Sequence, residues 1–249
     1  MNRSSRLQAL IRILRPAPLL IDIGCDHGYS CIEAVSAGKA ERCLACDLRT
    51  APLQRAAENI AAAGLSDRIS CCLSDGFRSV RFEETEAACI ISGMGGRLIT
   101  DILKYWLRPE NEKASAIRQY ILSPQSEPAV LRHYLIDEAG LFIDNEITVE
   151  EKGKYYPVLS VSLYASESSG SSQKRFKDEF DYQYGITHEK SSLPVFCAFL
   201  RQESRKLQEA IASAETHASG ERGKERVLKL RHDLEMLEQT VQEYEKEAL

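Results

Sequence analysis

The period of hydrophobic and polar positions changes several times along the 249 residues, and each change marks an element. Residues 6–14 set Leu7, Leu10, Ile11 and Leu14 at helical spacing, and Pro16 and Pro18 end that helix. Beyond it, apolar strand-like runs fall at 19–24, 43–48, 69–74, 87–92 and 117–123. Helix-like stretches fall at 28–37, 52–63, 97–106 and 128–139. Such alternation with short connections predicts a parallel sheet covered by helices on both faces. Two further runs, 141–150 and 155–164, are separated only by Glu151-Lys152-Gly153-Lys154. So short a link permits an antiparallel hairpin and excludes a crossover helix, which brings the expected sheet to seven strands in an α/β fold.

The pattern then changes kind. Residues 165–173, Ala-Ser-Glu-Ser-Ser-Gly-Ser-Ser-Gln, read as a flexible linker. Val227, Leu230, Leu234, Leu237 and Val241 recur at 3,4,3,4 spacing, a heptad seam, and Phe196, Leu200, Leu207, Ile211 and Ala214 form a looser stripe. Gly220 and Gly223 mark the turn between the two. The expectation is an antiparallel α-helical coiled-coil hairpin, with residues 1–165 as one domain and 174–249 as the other. The hairpin's basic residues are mixed with acids and read as a solvated helix face.

Composition adds limits. With 43% hydrophobic and 28% charged residues the chain is ordinary globular material, and no stretch reaches the roughly 18 apolar residues of a membrane span. Arg3, Arg6, Arg12 and Arg15 interrupt the first apolar stretch, unlike a secretory signal, so a cytoplasmic location is expected. Residues 1–165 carry 19 basic and 21 acidic side chains (-2) and residues 166–249 carry 13 and 16 (-3). Neither half is basic, so contact with nucleic acid must use a local patch. One such patch exists: residues 1–21 hold four arginines and no carboxylate. The eight cysteines sit mostly in strand-like segments and read as reduced core thiols. Cys43-Leu-Ala-Cys46 lacks a second pair at zinc-ligand spacing, so no metal is expected.

The chemistry collects at the predicted strand ends. The first strand runs into Asp22-Ile-Gly24-Cys-Asp26-His-Gly28, a tight strand-to-helix turn of the kind a nucleoside cofactor needs. Asp26 stands where a dinucleotide loop keeps its second glycine, and a carboxylate there argues against pyrophosphate. A cofactor without phosphate, bearing an ammonium and a sulfonium, fits a loop lined by Asp22 and Asp26. Asp47, followed by Leu48, ends the second strand about twenty residues past the glycine turn, where an acid binds ribose hydroxyls. Asp75-Gly76 ends the third, placed to meet an adenine amine. Ser92-Gly93-Met94-Gly95-Gly96 follows the fourth and suggests backbone pressed against an acceptor; Ser123-Pro124-Gln125 follows the fifth. The hairpin turn brings Lys154 and Tyr155 to the same edge.

Asp22-Ile-Gly-Cys-Asp-His-Gly-Tyr29, Ser92-Gly-Met-Gly-Gly96 and Glu151-Lys-Gly-Lys-Tyr155 together resemble the TrmK family, bacterial tRNA (adenine(22)-N(1))-methyltransferases with a class I, Rossmann-like catalytic domain and a C-terminal coiled coil. The resemblance covers residues 6–165 in order, and the tail agrees in type. It departs at Ser123-Pro124-Gln125, where the family commonly has Gln-Pro-Asn, and at Cys25, often Ser. It implies S-adenosylmethionine, held by Asp22, Gly24, Asp26, Gly28, Asp47, Leu48, Asp75, Gly76, Ser92, Gly93 and Met94. It implies catalysis through Asp26, with His27 and Tyr29 orienting the target base and the Ser92–Gly93 backbone accepting from its exocyclic amine. For tRNA it suggests Arg3, Arg6, Arg12, Gly95, Gly96, Pro124, Gln125, Lys154 and Tyr155. The chain is expected to be a monomer, with self-association through the coiled coil left open. Two other readings stay open: a class I methyltransferase for a small molecule or protein, and a non-catalytic cofactor-binding adaptor.

Overall fold

The computed structural model describes residues 4–164, 176–187, 189–217 and 220–247. Arg3, the linker at 165–173 and part of the turn at 217–223 lie outside them.

The chain begins with α1 (Ser5–Ile13), capped by the Ser4 hydroxyl, which accepts from the Leu7 amide. Then follow β1 (Ala17–Ile23), α2 (Tyr29–Ser36), β2 (Ala40–Asp47), α3 (Thr50–Ala62), β3 (Ile69–Leu73), β4 (Ala87–Ser92), α4 (Gly96–Trp106), β5 (Ile117–Ser123) and α5 (Pro128–His133). β6 (Phe142–Glu151) and β7 (Lys154–Ser162) close the sheet. The order is β3-β2-β1-β4-β5-β7-β6, the first five strands parallel and β7 antiparallel to both neighbours. The hairpin turn holds Lys152 at φ 53° and Gly153 at φ 75°, two left-handed positions as a tight two-residue turn requires. The predicted strands and helices therefore stand within a few residues of their expected places.

Alternation along the strands divides the core. Leu19, Ile21 and Ile23 of β1 pack with Cys89, Ile91, Ile99, Leu103 and Trp106 on the α4–α5 face. Leu20 packs with Leu10, Val35, Ile60, Ile90 and Val158 on the face covered by α1, α2 and α3. Burial of these side chains, worth roughly 1.5–3 kcal/mol each, fixes the register, because a one-residue slip would invert both faces.

Beyond the linker lie α6 (Glu179–Tyr184), α7 (Leu193–His217) and α8 (Gly220–Glu247). The last two form the expected antiparallel hairpin. Phe196, Leu200, Leu237 and Val241 fill its base, and Gln208 bonds Glu238 while Arg231 bonds Glu215 farther along. α7 meets the sheet domain where Phe199 stands 5.7 Å from Tyr155, and α6 is anchored on it by one buried arginine. The Arg132 guanidinium, 2% exposed, donates to Glu146 (Nε to Oε2, 3.2 Å) and to the carbonyls of Tyr182 (2.6 Å) and Gln183 (3.2 Å). No helix among the described residues is long and apolar enough to cross a membrane.

Candidate active site

A cavity of about 580 Å³ opens at the C-terminal ends of β1, β2 and β4, where open α/β sheets bind ligands. Gly24 and Cys25 both donate to the Cys46 carbonyl, at 2.8 and 2.9 Å, which folds the loop after β1 back over the sheet. Gly24 sits at φ 81°, and a methyl group on its Cα would overlap Met94 Cε. Asp26 is itself left-handed at φ 47°, a conformation that Asp tolerates better than most residues. Its amide donates to Asp47 Oδ2 at 3.3 Å, while the Arg49 amide donates to Asp47 Oδ1 at 2.9 Å. The Asp47 carboxylate thus ties the first loop to the end of β2 and keeps lone pairs to spare. Asp26 and His27 approach within 3.4 Å, and the His27 ring stacks on Tyr29 with centroids 5.7 Å apart.

The rim is in part apolar where it meets solvent. Tyr29, Leu48 and Leu98 are large hydrophobic side chains left exposed, and all three line this cavity. Exposed apolar groups around a concave site read as surface that a ligand covers. On the far side, Gly93 (φ 77°) donates to the Ser123 carbonyl, and Gln125 donates to the Met94 carbonyl. A methyl group on Gly93 would stand 3.4 Å from Gln125 Nε2 and 3.9 Å from Arg6 Nη2, so its bare backbone lies between those two side chains.

The expected site residues divide by location. Gly24, Asp26, His27, Tyr29, Asp47, Leu48, Asp75, Gly76, Ser92, Gly93, Met94, Arg6 and Gln125 line the cavity. Asp22 does not. It shares the face of Leu20, is 1% exposed and accepts from the Cys31 thiol at 3.8 Å on α2. Burial raises its pKa to about 7, against the lowering effect of hydrogen bonds from Ser30 and Cys31. Gly28 also lies off the wall, and a methyl group on its Cα would stand 3.1 Å from Ala56 Cβ on α3. Gly95 and Gly96 are packing glycines: a side chain at Gly96 would overlap the Glu127 carbonyl oxygen.

The candidate tRNA residues scatter. Arg12 is turned to Glu189 near the start of α7, and Arg15 bonds Asp144 at 3.0 Å. The arginines in and after α1 are therefore not a row of free cations. Arg3 lies outside the described residues. Pro124 and Tyr155 line a second, smaller cavity of about 80 Å³ with Tyr184 and Phe199, and Gln125 borders both cavities. Lys154 is exposed at the hairpin turn and lines neither. Sequence reasoning missed Arg49, Ser74, Leu98 and Ile102 of the first cavity. The i,i+4 spacing of Leu98 and Ile102 on α4 was the one available signal.

The donor set suits an S-adenosyl compound. Carboxylates stand at the ends of β2 and β3 for hydroxyl and amine donors, apolar side chains offer faces for a purine, and no helix N-terminus is prepared for phosphate with a glycine at position 26. Fold and cavity together are those of a Rossmann-like domain of the class I methyltransferase type.

Comparison with known proteins narrows the class. The family model TrmK, tRNA (adenine(22)-N(1))-methyltransferase, matches residues 20–239, and the chain belongs to that family. It is 33% identical over 156 residues to the Bacillus subtilis (strain 168) tRNA (adenine(22)-N(1))-methyltransferase, an alignment spanning 63% of either chain. The crystal structure of the B. subtilis m1A22 tRNA methyltransferase TrmK superposes with a TM-score of 0.77 at 25% identity, covering 96% of this chain and 99% of that one. Streptococcus pneumoniae Sp1610, solved in complex with S-adenosyl-L-methionine, gives 0.75 at 27% identity, covering 94% and 98%.

Proposed function

We propose that the protein transfers the methyl group of S-adenosylmethionine to N(1) of adenine 22 in tRNA. One observation carries the reading: the cavity joins the acidic ends of β2 and β3 to a bare glycine backbone at the end of β4, in a chain of the TrmK family. When bound, the cofactor supplies an electrophilic methyl on a sulfonium.

The chain's own groups would do the rest by position. Asp47 has free lone pairs for ribose hydroxyls, and Asp75 and the Gly76 backbone stand for the adenine edge, with Leu48, Met94, Leu98 and Ile102 as apolar walls. Adenine N(1) already has a lone pair, so the enzyme needs orientation more than a base, and orientation alone is worth several kcal/mol. Asp26, His27 and Tyr29 stand at the rim where a flipped adenine would enter, and Asp26 offers negative charge as the base becomes cationic. Ser92 and Gly93 carbonyls accept from the exocyclic amine. Asp22 supports the loop from beneath rather than touching cofactor. We read residues 1–165 as the catalytic domain and 174–249 as a helical, coiled-coil domain that packs on itself, in a cytoplasmic monomer that binds RNA. Pro124, Gln125, Lys154 and Tyr155 are the remaining tRNA candidates, and Arg12, being paired, is a weaker one.

The test is tritium transfer from labelled cofactor into separated tRNA, protein and small-molecule fractions of a cell extract. Label in tRNA supports the reading. Label in another fraction makes the protein a different methyltransferase, and no label in any makes it an adaptor.

A further inference from the structure

One basic side chain of the α1 patch is not on the surface. Arg6 lies on the wall of the large cavity, half-buried, with its guanidinium carbon 4.8 Å from the centre of the Tyr156 ring. Nη2 faces the bare backbone of Gly93, and Nη1 is buried with no hydrogen-bond partner among the described residues. A buried guanidinium nitrogen without an acceptor is costly, and a cation–π contact holds the group without supplying one. Something that binds in the cavity is the natural acceptor.

The other charges say what kind. The cavity is lined by three carboxylates, Asp26, Asp47 and Asp75, and by two arginines, Arg6 and Arg49. Arg49 is 72% exposed and stands 3.7 Å from Asp47. An S-adenosyl compound ends in a zwitterion: its ammonium finds several acids here, whereas its carboxylate finds in Arg6 a guanidinium nitrogen that is buried and unpaired among the described residues, unlike the exposed Arg49 beside Asp47. A backbone phosphate of RNA is an alternative anion, but it would have to reach the half-buried guanidinium beside Gly93. We propose that Arg6 is the residue that recognises the α-carboxylate of the bound S-adenosyl compound. The proposal rests on the cofactor reading above. It moves Arg6 from RNA docking to cofactor binding and makes α1 part of the catalytic cavity.

The experiment is calorimetric titration of wild type, Arg6→Ala and Arg6→Lys with S-adenosylhomocysteine. Each is also titrated with its decarboxylated form, S-adenosyl-3-thiopropylamine, which keeps the ammonium and loses only the carboxylate. Arg6→Ala should weaken S-adenosylhomocysteine by roughly 10- to 100-fold, the range for a charge-assisted hydrogen bond, and change the amine by less than about threefold. Arg6→Lys should fall between, since it keeps the charge and loses the two-pronged geometry. It also reads the same ratio should the alanine variant not fold. Equal losses on both ligands, or none on S-adenosylhomocysteine, would overturn the proposal. So would a loss confined to tRNA retention on filters, which would assign Arg6 to phosphate. Wild type that binds neither ligand would instead overturn the cofactor reading itself.

Discussion

Gly96 and Gly93 stand three residues apart after β4, and the structure predicts different consequences for the same substitution. Gly96 is the first residue of α4, is buried, and donates its amide to the Ser126 carbonyl at 2.8 Å. A methyl group there would overlap the Glu127 carbonyl oxygen and lie 2.9 Å from its carbon and 3.1 Å from the Ser126 oxygen. All three are backbone atoms, in a segment pinned by Glu127 at φ 53° and by Pro128. Ordinary separations near 3.5 Å require the start of α4 to move by about 1 Å. Overpacking costs about 1–3 kcal/mol and a weakened Gly96–Ser126 bond about 1 more, against about 0.5–1 that alanine gains in a helix. A net loss of about 2–3 kcal/mol lowers the melting temperature by roughly 4–12 °C for a chain of this size. At Gly93 the neighbours are the ends of two flexible side chains, Gln125 and Arg6, and the cost is the left-handed backbone, about 1–2 kcal/mol. Gly93→Ala should therefore melt closer to wild type yet lose methyl transfer, because the new group enters the cavity wall between Gln125 and Arg6, where cofactor and acceptor must fit. Thermal unfolding by circular dichroism, with urea titration beside it, measures both. A Gly96→Ala protein that melts with wild type, or two variants equally destabilised, would refute the packing argument.

Three further outcomes follow from the buried and titrating groups. Asp22 has a folded pKa raised by burial to about 7, so the native state keeps a proton that the unfolded chain loses near pH 4, and stability falls as pH rises between the two and then levels. Asp22→Asn should remove that slope, its advantage in urea unfolding growing by about 2–3 kcal/mol from pH 5 to pH 8; parallel profiles would contradict it. Arg132→Met leaves Glu146 charged and buried and should cost about 3–5 kcal/mol, while Arg132→Met with Glu146→Leu should cost less, as chemical denaturation would read. At His133, burial alone would lower the pKa, but hydrogen bonds to Asp137 and Glu179 raise it. Its stabilisation is thus complete below about pH 6.5 and fades as pH rises through the raised value; being largely exposed it is worth no more than about 1 kcal/mol. Amides of Glu179–Tyr184 should exchange relatively faster above that pH in wild type and show no such change in His133→Gln.

The sheet was legible because its information is local. Short apolar runs at 43–48, 69–74 and 87–92 place strand ends, and a four-residue link before Tyr155 can only be a hairpin. Strand alternation, followed along β1, puts Asp22 on the face of Leu20, which the motif reading passed over. Long-range pairs were not legible. Nothing around Arg12 signals Glu189, 177 residues away, and nothing around Arg132 announces carbonyls fifty residues on, because such contacts leave no periodicity. Gly96 and Gly93 look alike in sequence, and only the neighbours of their missing side chains tell them apart. The hairpin seam was readable from its heptads, whereas the contact of Phe199 with Tyr155 and the hold of Arg132 on α6 required the fold.

The most direct test of the methyl-transfer account uses two tRNA transcripts that differ only at position 22, adenosine in one and guanosine in the other. Each is incubated with purified protein and S-adenosylmethionine, then digested and mapped by mass spectrometry. The account predicts N(1)-methyladenosine at position 22 of the first transcript and no new methyl group in the second. Methylation of the guanosine transcript, or of the first at any other nucleotide, would contradict it.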